Sequence, residues 1–554
     1  MDVYPVIGIG DLAFADCYTL KTVNIPDSIT DIGDWAFMTC FFLERVDIPD
    51  SVSHIGKGAF GGCVSLIRIN IPFGVTTIEY DTFSYCVALA NIVLPDSVAT
   101  IGGSAFAMSG LKSIVIPDSV IEIGQYAFGA CAYLESISIP DSVISVGDSA
   151  FEKCYGLADV NISDGVEEIG EKAFSECHNL KSVTIPGSVS SIGESVFEEC
   201  IGLEHITLSE GVKIIGYRSF FGCVSLTSVT FSNSVTDICE LAFSGCTKLA
   251  NVTFLNNAVN IYRAFLNCAS LTDIVLPDGM TEISDYAFDT CTGLRNITIP
   301  SSVSKIGGGA FLGCRNLENI SIPDSVTTIG GGAFSGSGLK SLIIPDSVTN
   351  IGNNAFSCAY LASITLPNSI STINNAAFAG SGLVSITIPQ SVTSIEQAAF
   401  LNCKKLETVS IPDTVTSIGG YAFNGCDSLM RIYIPNSVTA IGDPRNHTVP
   451  SFDNQITLYC YRDSYTHQYA VAKSLKFRLI DEPVEGLEYA LNVVNGTGQG
   501  DYSEGMGITI TADALPGKAF IEWTATAGTI AYAASPNTVF IMPAEDIALP
   551  LHIN

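Results

Sequence analysis

The chain has 554 residues, 47% hydrophobic and only 15% charged, and its 56 acidic against 25 basic side chains give a net charge of −31. So acidic a surface excludes nucleic acid as a partner, because phosphate binding needs clustered Lys and Arg. No run of about 20 apolar residues occurs, which leaves nothing to cross a membrane as a helix.

Met1 to Gly10 carry neither a basic start nor an apolar stretch, so they do not form a secretory signal. The chain enters in mid-pattern, with Ile9-Gly10 and then Phe14 already in register with the later copies. Solenoid ends need a closing cap. We therefore expect an export signal and an N-terminal cap to lie upstream.

From Phe14 a landmark Phe recurs in steps of 22 or 23 residues through Phe37, Phe60 and Phe83 to Phe400 and Phe423, nineteen copies in all. A fixed period in this range means coils stacked along one axis, each touching its neighbours, rather than a globule with one closed core. A single coil buries too little to offset its own ordering, so stability must come from the array.

The copy from Leu294 to Cys314 shows the unit. Leu294, Ile297 and Ile299 point inward from a strand that Pro300 stops, since it has no N–H for a ladder. Pro-Ser-Ser here, and Pro-Asp-Ser in most copies, sets a turn. Val303 and Ile306 come from a second short inward segment, Gly307 is expected to allow a bend, and Ala310, Phe311 and Cys314 fill the third side. Successive strands would form one parallel sheet.

Fifteen of the eighteen Cys lie three residues after the landmark Phe, from Cys17 and Cys40 to Cys403 and Cys426. A residue held in one register is a packing slot, where free Cys acts as a small hydrophobe. Neither a C-x-x-C pair nor a Cys/His ligand set occurs, which argues against zinc. The turn Asp residues (Asp27, Asp50, Asp96 and their equivalents) would stack as like charges, which a row of Ca²⁺ would relieve. Other copies place Gly187, Asn233, Ser301 or Asn368 in that slot, as a solvated turn tolerates, and we expect no metal and no cofactor.

The copies occupy residues 1–442. Asp443 to Asn454 is an insertion, and residues 443–480 read as a closing segment: a strand at Ile456–Tyr461, a short helix capped by Asp463-Ser464, and a strand at Leu475–Ile480. A polar linker at 481–486 leads to a small all-β module at 487–554. Its Gly496-x-Gly498-x-Gly500 neither opens a helix nor has a P-loop Lys, so it reads as a hairpin turn.

The unit L-x-x-I-x-I-P-D-S-V-T-x-I-G-x-x-A-F-x-x-C resembles the leucine-rich repeats of the BspA type. The combination of Pro-Asp-Ser-Val, Ile-Gly and Ala-Phe-x-x-Cys is specific to that subclass. The tail resembles divergent InlB B-repeat modules through Gly517-x-x-Phe520-x-x-Trp523 and Phe540-x-Met542-Pro543-Ala544. The fold expected is thus a leucine-rich-repeat solenoid of about 19 coils with a parallel β-sheet face, a strand-helix-strand cap and a small all-β C-terminal domain. What the resemblance implies is a non-enzymatic bacterial protein, extracellular or on the cell surface, that binds host matrix proteins, receptors, glycans or other cells. The alternative is a structural spacer that displays another domain.

No nucleophile, base and orienting group share a motif, and the six His occupy no common slot, so no catalytic residue is assigned. A binder would use the outward strand positions between the inward Leu, Ile and Ile. The candidate contacts for an extracellular protein or glycan ligand are Ser182, Thr184, His205, Thr207, Ser228, Thr230, Arg295, Asn296, Glu318 and Asn319. Thr and Ser also suit exposed strand positions for purely structural reasons. The strand row begins with Glu44, Arg45, Asp47, Arg68 and Asn70 and is expected to end, still exposed, near Arg431 and Tyr433.

Overall fold

The computed structural model describes residues 6–256, 259–357, 360–442 and 450–481, together with the tail strands and the short segments attached to them between 488 and 553. Contacts divide the chain into two compact units, Met1–Met280 with Ala287–Ile297, and Thr281–Tyr286 with Thr298–Asn554.

In the first unit most coils give one strand to each of two parallel ladders; the coils at Asn91 and Ser113 add only a single bridge to the first. Along the first ladder, six strands from Ser136–Ile139 to Asn251–Phe254 form one sheet, with Ser182 opposite His205 and Thr184 opposite Thr207. The second ladder uses two-residue strands whose Ile faces the core, as where Val146 pairs with Ile123 and Ile169. The third side is a run of tight turns, not a helix, and it too is bonded from coil to coil: Phe37 donates its N–H to the Ala59 carbonyl at 2.7 Å.

The landmark Phe rings stack along the coil axis. From Phe14 to Phe288 neighbouring centroids lie 5.1–6.0 Å apart with planes within 14° of parallel. Offset stacking of this kind adds a favourable ring term to the burial of each ring. Beside the rings, Cys63 and Cys86 donate their thiols to the Phe37 and Phe60 carbonyls at 3.2 and 3.3 Å. The thiol fills the slot and adds a second donor to a carbonyl that already accepts a backbone N–H, as Phe37 does from Cys40. Where a coil is one residue shorter, Ser takes over: the hydroxyls of Ser109 and Ser381 lie 3.3 Å from the thiols of Cys131 and Cys403.

The second unit repeats this construction from Phe311 to Phe423, and the ladder then takes one more rung. Phe452 stacks on Phe423 at 5.6 Å and bridges its backbone. The segment expected as an irregular insertion therefore ends inside the array; residues 443–449 lie outside those described. The strand Thr457–Cys460, the helix Tyr465–Lys473 and the strand Lys476–Leu479 close this end. Ser464 caps the helix, its hydroxyl accepting the His467 N–H at 3.1 Å.

Gly307 serves a different purpose from the one expected. Its φ is not left-handed; instead a Cβ there would stand 2.5 Å from the Asp285 nitrogen of the preceding coil, so the position needs a small residue for close approach. The left-handed positions flank the landmark Phe at two residues before and after. They are filled mostly by other residues, such as Ser195 and Glu199 around Phe197.

The tail is all β. Glu488–Val493 pairs antiparallel with Gly500–Ser503, and Gly507–Ala512 with Asn537–Ile541, around a core of Leu491, Val493, Ile508, Ile510, Trp523 and Phe540. Gly496–Thr497 pairs with Thr511–Ala512 within the loop of the first hairpin. Of the expected linker at 481–486, residues 482–486 lie outside those described, yet the module is fixed to the array. Gly507 donates its N–H to the Ile480 carbonyl at 2.7 Å, and Ser410 donates its hydroxyl to the Ala531 carbonyl at 2.6 Å. Tyr433, expected to be exposed, is 3% exposed and clusters with Ile480 and Ala531.

Candidate strand-face site

The outward row exists because strand side chains alternate. In Ser182–Ile185, Val183 and Ile185 are buried while Ser182 and Thr184 are exposed. Parallel in-register pairing then turns single outward residues into rows. Ser182, His205, Ser228 and Asn251 form one row, Thr184 and Thr207 belong to the next, and Thr230 stands opposite Thr253. Ser228 is half-buried; Ser182, Thr184, His205, Thr207 and Thr230 are exposed. None of these six side chains makes a hydrogen bond within the described residues. They present hydroxyl and imidazole groups on a backbone that the ladder holds rigid.

The later candidates differ. Asn296 is exposed, but its amide donates to Asp273 at 2.7 Å, and that bond is the first cause that holds the Asp273 carboxyl below its usual range. Arg295 stands next to Asn296 and adds a smaller charge effect on the same carboxyl. Glu318 accepts from Lys340 at 2.7 Å. An exposed ion pair of this kind contributes little to stability, yet it occupies the carboxylate. Asn319 lines an open groove with Ile343 and Thr365, beside a place where the strand ladder restarts at Ser341–Ile343. Arg295 and Asn296 belong to the first unit, Glu318 and Asn319 to the second.

Among the described residues no group of three or more His, Cys, Asp or Glu comes together that could hold a metal ion. Several Asp side chains instead tie coils together: Asp34 and Asp285 accept the backbone N–H of Lys57 and Gly308, one coil on, at 2.8 and 2.7 Å. The signal for that role, an Asp directly after Ile-Gly or Ile-Ser, is present in the sequence at Asp34 and Asp285. Burial pushes the slot thiols up, Cys131 to about 11 and Cys86 and Cys200 to about 12, so they are neutral and inert. Among the described residues no helix is long and apolar enough to cross a membrane.

Comparison with known proteins adds a family. The model for the BspA type leucine rich repeat region matches in six overlapping copies, at residues 4–112, 100–224, 167–295, 213–340, 281–407 and 327–446, and that of the divergent InlB B-repeat domain matches 489–550. Among solved structures, the chain is similar to a leucine-rich repeat protein from Bacteroides ovatus, 24% identical over 83% of this chain and 92% of that one, with a TM-score of 0.42. It is also similar to a leucine rich cell surface protein from Faecalibacterium prausnitzii, 27% identical over 68% and 93% of the two chains, with a TM-score of 0.36. No curated protein matches the chain. With its repeat model matched from residue 4 to residue 446, the chain belongs to the family of BspA-type leucine-rich repeat proteins and ends in a divergent InlB B-repeat domain.

Proposed function

We propose that this chain is a non-enzymatic binding protein of the bacterial surface or exterior that recognises an extracellular protein or glycan through its strand face. Proteins of this family are generally surface and binding proteins, and leucine-rich-repeat solenoids are typically without catalytic activity. One observation carries the assignment to the strand face. The exposed side chains of Ser182, Thr184, His205, Thr207 and Thr230 are aligned by the backbone ladder and have no partner within the described residues. Groups already positioned lose little freedom when a ligand arrives, which is what a preorganised surface contributes to affinity.

The test is saturable binding of the full chain to immobilised matrix proteins and glycans, run beside a variant with Ser182, Thr184, His205 and Thr207 changed to Ala. Binding that is lost in the variant, with unchanged circular dichroism, supports the strand face. Binding equal to that of the parent protein places the contact elsewhere, and the absence of any binding favours a spacer.

A further inference from the structure

Arg45 and Arg68 stand directly opposite each other in neighbouring parallel strands, at a separation of about 5 Å between backbones. Both are exposed, and neither guanidinium has a hydrogen-bond or ion-pair partner among the described residues. Glu44 and Asp47 flank Arg45 along its strand, yet no ion pair joins them. Like charges face to face across a strand pair are unfavourable. No other described strand pair sets cation beside cation. Elsewhere the solenoid stacks cation on anion from one coil to the next, as Lys305 on Glu282 or Lys340 on Glu318.

The ladder also breaks beside this pair. Arg68–Ile69 is the last strand of its sheet, and the next coil makes only a single bridge, Asn91 to Ser113, on its far side. An open groove of about 560 Å³ runs between the two coils, lined by Arg68, Asn91, Phe73 and Val93. Phe73 and Val93 are 74% and 81% exposed. Arginine together with exposed aromatic side chains is the composition that dominates binding energy at protein interfaces.

We propose that the Arg45–Arg68 pair and the adjoining groove bind an acidic segment of a protein partner, one whose carboxylates are flanked by apolar side chains. The proposal rests on the strand-face assignment above and gives it a ligand chemistry. Two guanidinium groups a strand apart offer parallel forks for two carboxylates, and the groove with Phe73 and Val93 receives the apolar neighbours. The net charge of −31 decides the class of anion. A long polyanion would meet repulsion from the rest of the molecule, whereas a short acidic segment that engages the two guanidinium groups faces only the few carboxylates beside them, Glu44, Asp47 and Asp96.

The experiment probes an array of synthetic peptides, varied independently in acidic and apolar content, with the full chain and with three variants: Arg45→Glu/Arg68→Glu, Arg45→Lys/Arg68→Lys and Phe73→Ala. Peptides carrying both acidic and apolar residues should bind, and the double Glu variant should weaken binding by about tenfold or more. The double Lys variant keeps the charge and loses the fork, so it should fall between. Raising salt from about 0.05 to about 0.5 M should weaken binding to the parent chain. Equal binding by the double Glu variant, no peptide bound, or heparin bound in place of the peptides would each overturn the proposal. Matrix binding that is lost with Ser182, Thr184, His205 and Thr207 while no peptide binds would leave the strand-face assignment standing and remove this one. Peptides that bind through the arginines while matrix binding ignores the Ser182 row would do the reverse for that row.

Discussion

Val93 and Tyr433 fill the same slot of the repeat, the second outward position of the first-ladder strand, and are 81% and 3% exposed. The apolar residue is the open one. Around Val93 the ladder is interrupted and nothing among the described residues covers the groove, whereas Tyr433 lies under Ala531 and Val539 of the tail, held there by the bond from Ser410 to the Ala531 carbonyl. A repeat slot thus decides which way a side chain points, and the surrounding structure decides whether it meets solvent. The exposed strand face stops short of the coil of Tyr433, which the InlB-like domain covers.

Five measurements bear on that contrast between open and covered positions. The largest effect is expected from alkali, which attacks what is buried. The thiols of Cys86, Cys200 and Cys291 are raised by burial to about 12 from an ordinary value of 9.0. A thiol whose folded value is raised stabilises the fold fully below its unfolded value and ceases to do so as the pH climbs to the folded one. Denaturation midpoints should therefore hold up to about pH 9 and fall steadily toward pH 12. Thiol labelling at neutral pH should reach Cys17 and Cys239 well before the buried column. Rapid labelling of Cys86 and Cys200 in the native chain would contradict the packing.

Next comes Tyr433→Ala, expected to cost about 3 kcal/mol in chemical denaturation of the second unit, because it empties a buried aromatic site. Val93→Ala in the same slot should stay within about 0.5 kcal/mol. Comparable losses at both positions would mean that the tail does not cover Tyr433. Ser410→Ala removes one hydroxyl donor and should cost about 1 kcal/mol, seen as faster amide exchange in Asn537–Ile541 with the rest of the array unchanged. Smallest is Lys340→Ala. The pair with Glu318 is half exposed, so the loss should be under about 1 kcal/mol and should vanish in high salt.

The period, the inward Leu, Ile, Phe and Cys slots and the strand-helix-strand closure were legible because each follows from local chemistry repeated many times. Pro300 stops a strand wherever it stands, and a residue such as Cys63 that recurs in one register can only be a packing slot. The candidate face was legible in direction but not in commitment: Ser182 and Asn296 look alike as outward polar residues, yet Asn296 is spent on Asp273. Gly307 was misjudged because a glycine required by the backbone of a neighbouring coil looks, in one dimension, like a glycine required by its own dihedral angles. Phe452 was missed because its step from Phe423 is longer than the period.

The solenoid is a consequence of the residue order alone, since a fixed repeat imposes the same local structure on each copy and leaves stacking as the way to bury its apolar residues. Three outcomes belong instead to the folded chain: where the strand ladder breaks beside Arg68, which polar groups are already paired, and the closure of the tail over Tyr433. They depend on which side chains meet between neighbouring coils, as Asn296 and Asp273, or far along the chain, as Ser410 and Ala531, and the period itself records neither.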